Sequence, residues 1–203
     1  VYERLRVTTT SLACGYEGQV GYSAVVEARG GRGAGYVWSM SGVLPSGLSW
    51  DASTATISGD IAAGTAGDYV LQFEVTDGMQ VVVASLTLRV HAELRITTTS
   101  LPAGYDGEGG YSAVLRATGG TGSYSWSVVS GSLPPNLVLD SSTGVISGDI
   151  GANASANSPY DFTVEVTDGQ QSVQANLRVT VYERLRITTT SLPEAYNETP
   201  YNY

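Results

Sequence analysis

Apolar and polar side chains alternate with a period of two residues in several runs along this chain. The clearest runs are residues 22–28, 69–75 and 86–90, and they return at 111–117, 160–166 and 177–181. Such alternation is typical of strands that bury one face. Between the runs stand Gly-Gly, Asp-Gly, Ser-Gly and Leu-Pro pairs, which favour turns. No stretch of ten or more residues has apolar positions at helical spacing, so the pattern predicts an all-β protein.

The same sequence unit is written twice and begun a third time. LPSGLSWDASTATISGDI at 44–61 returns as LPPNLVLDSSTGVISGDI at 133–150, and VYERLR stands at both 1–6 and 181–186. About seven short strands in about 90 residues match the size and rhythm of an Ig-like β-sandwich. In the first unit these strands are predicted at 5–12, 21–28, 36–41, 48–50, 55–58, 69–76 and 81–90. We therefore predict two sandwiches, residues 1–92 and 93–182, and the beginning of an incomplete third at 183–203.

The alternation continues across the boundary between the units. Apolar residues occupy every second position from Leu86 to Ile96, through the last strand of one unit and into the first of the next. No Gly, Pro or Ser lies between them to form a flexible tether. This continuity predicts sandwiches arranged end to end with a stiff joint.

Charge narrows the classes of partner. The net charge is −9, and residues 5–93 and 94–184 each carry eight acidic residues and four arginines. A surface this acidic lacks the basic face that binds the nucleic acid backbone. No run of 18 apolar residues is present, so we expect no membrane insertion by this segment.

The residues that usually carry catalysis are scarce. All ten basic side chains are arginine, which removes lysine chemistry such as Schiff-base formation. The single histidine, His91, lies in the linker, where the corresponding residues are Tyr2 and Tyr182. A histidine that the repeat does not retain is a poor candidate for a general base. We therefore predict no catalytic residues and no enzymatic activity.

The sequence resembles a known family in its most distinctive segments. GYSAVLRATGGTGSYSWSVVSGSLPPNLVLDSSTGVISGDI at 110–150 and YDFTVEVTDG at 160–169 are similar to the Ig-like repeats of large bacterial surface proteins, which are related to cadherin-like and dystroglycan-type domains. The resemblance covers both units. It implies a β-sandwich used in tandem as a stalk or adhesive region of an extracellular protein. The expected function is accordingly a non-enzymatic, extracellular structural or adhesive module at the cell surface, with neighbouring repeats as its first partners.

The resemblance to cadherins raises the question of calcium. Asp77 and Asp168 match the first aspartate of the cadherin Asp-x-Asp motif, but Met79 and Gln170 stand where the second would be. The linkers add only Glu93 and Glu183, whereas calcium takes six to eight oxygen ligands. Asp-Gly is also a common turn dipeptide. We expect no cofactor, with calcium at these four acidic residues as the alternative.

Two other functions remain open. The first is a carbohydrate-binding accessory module of a secreted enzyme or adhesin, in which Tyr36 and Tyr124 would contact surface glycans; the tryptophans two residues later, Trp38 and Trp126, are predicted to be core. The second is a subunit of an extracellular filament. There the third copy of the first strand, with Leu185 and Ile187, would be donated to another copy of the chain.

Overall fold

The chain folds into two all-β, Ig-like units in tandem. The structure is a computed structural model that describes residues 3–32 and 35–192. The described part of the first unit contains nine strands: β1 (Arg6–Val7), β2 (Gly15–Tyr16), β3 (Tyr22–Val25), β4 (Ala28–Arg29), β5 (Val37–Ser41), β6 (Leu48–Asp51), β7 (Thr56–Gly59), β8 (Gly67–Thr76) and β9 (Val81–His91).

The second unit repeats this order. Its strands are β10 (Arg95–Ile96), β11 (Gly104–Tyr105), β12 (Tyr111–Val114), β13 (Ala117–Thr118), β14 (Ser125–Gly131), β15 (Val138–Leu139), β16 (Val145–Gly148), β17 (Tyr160–Thr167), β18 (Ser172–Val179) and β19 (Val181–Tyr182). One short 3-10 helix, Ala154–Asn157, precedes β17.

Each unit is built from two facing layers. In the first unit one layer contains the sheet β3-β7-β6 with the β1-β4 pair, and the other is the sheet β2-β9-β8-β5. The β8–β9 hairpin is the longest pairing, from Gly67 opposite Val90 to Thr76 opposite Val81. In the second unit β12-β16-β15 and β14-β17-β18 take the same places. The all-β, Ig-like prediction is confirmed.

Each unit has its own core, formed by the apolar positions of the alternating runs. Leu71, Phe73 and Val75 in β8 are completely buried, and the residues between them face outward. Trp38 and Trp126 are buried in the first and second cores, as predicted. Because the side-chain period of a strand is two, the sequence alternation alone specifies which face is buried.

The first predicted strand is shorter than expected. Residues 5–12 contain only the two-residue strand β1, which pairs with β4, and the chain then passes to the opposite layer. There β2 pairs in parallel with β9, and Gly15 lies opposite Val90. The sequence pattern did not reveal β2. An added Cβ at Gly15 would lie 2.4 Å from Ile61 Cδ1, so glycine leaves room there for the Ile61 side chain. Among the described residues, no helix is long and apolar enough to cross a membrane.

Candidate functional site

The aspartates predicted as calcium ligands each close a turn. Asp77 Oδ1 accepts the amides of Met79 (2.9 Å) and Gln80 (2.7 Å), and its Oδ2 accepts the amide of Arg32 (3.0 Å). The backbone bonds from Gln80 and Met79 lower the pKa of Asp77, although the residue is buried. Amide donors therefore supply the partners that the buried carboxylate needs.

Asp168 has the same environment in the second unit. Its carboxylate accepts the amides of Gln170 (2.9 Å), Gln171 (2.7 Å) and Thr121 (2.8 Å). Burial raises the pKa of the Asp168 carboxyl, but these amides together outweigh it and the net direction is downward. A Cβ at Gly120 would lie 2.3 Å from Asp168 Oδ2, and at Gly31 the same distance from Asp77 Oδ2. The Gly-Gly pairs of both units thus make room for the turn aspartates.

The two predicted glutamates lie in linkers and form local ion pairs. Glu93 contacts Arg95 at 2.5 Å and Glu183 contacts Arg186 at 3.5 Å, all with largely exposed side chains. Within residues 3–32 and 35–192, no three His, Cys, Asp or Glu side chains converge in a way that could hold a metal ion. A role in calcium binding for Asp77, Asp168, Glu93 and Glu183 stays a prediction.

The joint between the units is held by side chains from both of them. Glu17, in the first unit, accepts the amide of Ala66 (2.8 Å) and that of Glu93 in the linker (3.3 Å). Its pKa is lowered, first by the bond from Ala66. From the second unit, Gln171 Oε1 accepts the Leu94 amide (2.9 Å), and Gln171 Nε2 donates to Ala92 O (3.4 Å). The linker backbone is therefore hydrogen-bonded to both units.

Neither Glu17 nor Gln171 was singled out from the sequence. Their recurrence at equivalent positions of the repeat could have identified them. GYEG at 15–18 returns as GYDG at 104–107, and each Asp-Gly turn is followed two residues later by a glutamine, Gln80 or Gln171. Gln80 Oε1 accepts the Leu5 amide at 3.1 Å, as Gln171 accepts that of Leu94. These glutamines thus serve the buried amide that opens each unit.

The predicted glycan contacts, Tyr36 and Tyr124, are half-buried. Their hydroxyls donate to Gly30 O (2.7 Å) and Gly119 O (2.8 Å), and their rings pack on the two cores. Both tyrosines therefore brace the Gly-Gly turns. Their part in glycan binding stays a prediction.

A different pair of tyrosines is exposed in the second unit. Tyr105 and Tyr182 are opposite each other on the parallel strands β11 and β19, with ring centroids 6.1 Å apart. Half of each residue is accessible, 50% and 53% respectively. Tyr182 also lines a groove of about 720 Å³ bounded by residues 99–103, β17 and β18.

The third copy of the first strand covers neither of the two cores that the described residues form. Leu185 is 98% exposed, although the corresponding Leu5 and Leu94 are 1% and 3% exposed. Ile187 is likewise 91% exposed. Strand donation by this segment stays a prediction, and residues 193–203 lie outside the described residues.

A family profile described as "Putative Ig domain" matches the chain twice, over residues 7–91 and 94–182. No curated protein matches the sequence. Solved structures do: Drosophila OTK extracellular domains 3–5 match with 13% identity and a TM-score of 0.55, over 88% of this chain and 62% of that one. The I-band fragment I67–I69 from titin matches with 14% identity and a TM-score of 0.56, over 88% of this chain and 66% of that one. The chain thus spans just under two thirds of either fragment, and at these identities the likeness shows the fold alone.

Proposed function

Because the chain belongs to the Putative Ig domain family along both of its repeats, we propose that it is a structural and adhesive segment of an extracellular surface protein. In this role it is non-enzymatic and spaces or anchors other parts of the protein. The observation that carries the proposal is the joint, in which Glu17 of the first unit accepts the Glu93 amide and Gln171 of the second unit donates to Ala92 O. A hydrogen-bonded linker transmits orientation from one unit to the next, whereas a flexible tether would not.

The topology of each unit also suits tension. The chain enters through β1 and β2 and leaves through β9, and β2 and β9 are parallel neighbours. In the second unit β11 and β19 have the same relation. When the two ends of a unit are pulled apart, parallel terminal strands slide along each other, so their hydrogen bonds are loaded together. An antiparallel hairpin pulled at its open end instead loses its bonds one at a time.

Single-molecule force spectroscopy in two directions tests the proposal on one molecule. The full chain with Cys14→Ala is pulled first through its termini. It is then pulled through Asp161→Cys and Arg178→Cys, two exposed positions opposite each other near the open end of the β17–β18 hairpin. We expect terminal pulling to give two unfolding events at higher force than hairpin pulling, because resistance to force follows the unfolding rate in the pulled direction. Equal forces in both directions would contradict a tension-bearing role.

A further inference from the structure

We propose that the second unit binds a neutral oligosaccharide in the groove between residues 99–103 and strands β17 and β18. The groove measures about 720 Å³, and its lining includes Thr99, Asp161, Thr163, Asn176, Arg178 and Tyr182. Small-ligand sites are typically concave and roughly 300–1,000 Å³ in volume, with a few polar groups that fix orientation. The volume of this groove falls within that range, and its lining is more polar than that of a typical site, as a ligand rich in hydroxyl groups requires.

The aromatic part of the site is Tyr182, which lines the groove, with Tyr105 beside it just outside the lining. Both rings are half exposed on neighbouring strands and are tilted by 44° to each other. A tyrosine presents an apolar face and a polar hydroxyl, and sugar rings offer matching C–H faces and hydroxyl groups. Because the two rings are held by paired strands, little conformational entropy is lost when a sugar stacks on them.

The polar part of the site is already ordered by its own bonds. Arg178 donates from Nε and Nη2 to the two carboxylate oxygens of Asp161, at 2.7 and 3.0 Å. Thr163 Oγ1 donates to Asn176 Oδ1 at 2.8 Å, which leaves the donors of the Asn176 amide for another partner. Carboxylate, guanidinium and amide groups side by side complement adjacent sugar hydroxyls, each of which both donates and accepts.

Charge selects the class of sugar. The Asp161–Arg178 pair is neutral as a unit, so the groove offers no unpaired cation to an acidic glycan. The chain as a whole carries −9, which repels polyanions over longer distances. The groove therefore favours uncharged oligosaccharides.

The first unit provides an internal control, because the repeat places different residues at five of these positions. His91 replaces Tyr182, and the polar quartet Asp161, Arg178, Thr163 and Asn176 corresponds to Val70, Thr87, Gln72 and Ser85. The first unit thus lacks the second tyrosine, and its own ion pair, Asp68–Arg89, lies two positions further towards the open end of the β8–β9 hairpin. We expect sugar binding by the second unit alone.

The test is an NMR titration of the full ¹⁵N-labelled chain with five neutral probes: cellohexaose, xylohexaose, mannohexaose, maltohexaose and chitohexaose. We expect at least one probe to shift amides of residues 99–103, 161–163 and 176–182 and to leave their first-unit counterparts unchanged. Tyr182→His, which installs the first-unit residue, should weaken binding about tenfold or more, as loss of a central aromatic contact does. Asn176→Ser should also weaken it, and His91→Ala in the first unit should not.

Three results would overturn the proposal: no shifts with any probe, equal shifts in both units, or unchanged affinity in Tyr182→His and Asn176→Ser. The inference rests on the proposed extracellular role, but its test does not. A chain that resists tension and binds no probe loses only the sugar site, and a chain that binds a probe but yields at equal force in both pulling directions loses only the tension-bearing role.

Discussion

At the scale of single residues, the side chains that recur in both units accept backbone amides at turns and at strand ends. Asp77 and Asp168 do so in the Asp-Gly turns, and Asp51 and Asp140 in the turns before β7 and β16. The repeat thus retains acceptors for amides that the sheets leave without a partner, since a buried unpaired amide costs free energy.

The strongest single-residue prediction concerns Gln171. The Leu94 amide that it accepts belongs to a residue only 3% exposed. Gln171→Ala should therefore lower the free energy of unfolding of the second unit by about 1–3 kcal/mol, the usual cost of leaving a buried donor unsatisfied. Urea denaturation measures this, with the exposed neighbour Gln170→Ala as the control. Equal effects of the two substitutions would contradict the assignment.

The hydrogen-bonded carboxylates of the turns should also make the free energy of unfolding depend on pH. Bonds from Ser142 and Thr143 lower the pKa of Asp140 from 3.8 to about 2. A carboxyl with a lower pKa in the folded state binds fewer protons there than in the unfolded chain. Its stabilisation is complete above its unfolded pKa of 3.8 and is lost as the pH falls towards about 2.

We therefore expect the urea midpoint of the second unit to fall as the pH is lowered from about 5 to about 2. Asp140→Asn should flatten that fall, because the amide has no proton to take up in this range. The comparison is made by urea titration of both proteins at several pH values. A slope that is identical in the parent chain and in Asp140→Asn would contradict the prediction.

At the scale of elements, the strands were predictable and the crossing between layers was not. β5, β6, β8 and β9 lie within a few residues of their predicted positions because one face of each is buried and the other exposed. β2 escaped prediction because two residues are too few to show a period. Its parallel pairing with β9 depends on residues about 75 positions away, which no local pattern records.

The candidate sites were less predictable than the strands. Asp168 was identified from its motif, but its amide partners come from the Gly-Gly turn and from its own turn, a proximity that only the fold creates. Tyr182 has no special neighbours in sequence. It becomes a candidate because β19 places it beside Tyr105 and in the lining of the groove.

The contacts of the candidate calcium ligands predict that calcium changes the melting temperature little. Asp168 accepts three amides and Glu93 contacts Arg95, so few of their oxygen lone pairs are left for a cation. We expect the melting temperature in millimolar calcium to rise by less than about 10 °C over that in a chelator, since only a tightly bound ligand shifts stability strongly. Magnesium is the matched control. A larger rise that is specific to calcium would overturn this expectation.

At the scale of the whole molecule, the two separate cores predict separate responses to core substitutions. Ile57 and Ile146 occupy corresponding positions in the first and second cores, and both are completely buried. Ile57→Ala should destabilise the first unit by about 2–5 kcal/mol, as cavities in packed cores do. Hydrogen exchange followed by mass spectrometry should show lost protection in residues 3–92 alone, and Ile146→Ala should give the reverse. Loss of protection in both units from either substitution would show that they unfold as one.

The third copy of the first strand, which contains Leu185 and Ile187, distinguishes an ordinary tandem repeat from the subunit of a filament. Leu185 and Ile187 are exposed, so a first-strand position in another molecule could bury them. In each described unit, however, that position is already occupied, by Leu5 in the first and by Leu94 in the second. Donation would have to displace a strand whose leucine is buried and whose amide is bonded to Gln80 or Gln171. Exchange of equivalent strands gains no new contacts, so nothing offsets the entropy lost on association. We therefore expect the full chain and a chain lacking residues 185–203 to have the same monomeric mass by light scattering at high concentration. A full chain that associates, together with a truncated chain that does not, would establish strand donation instead.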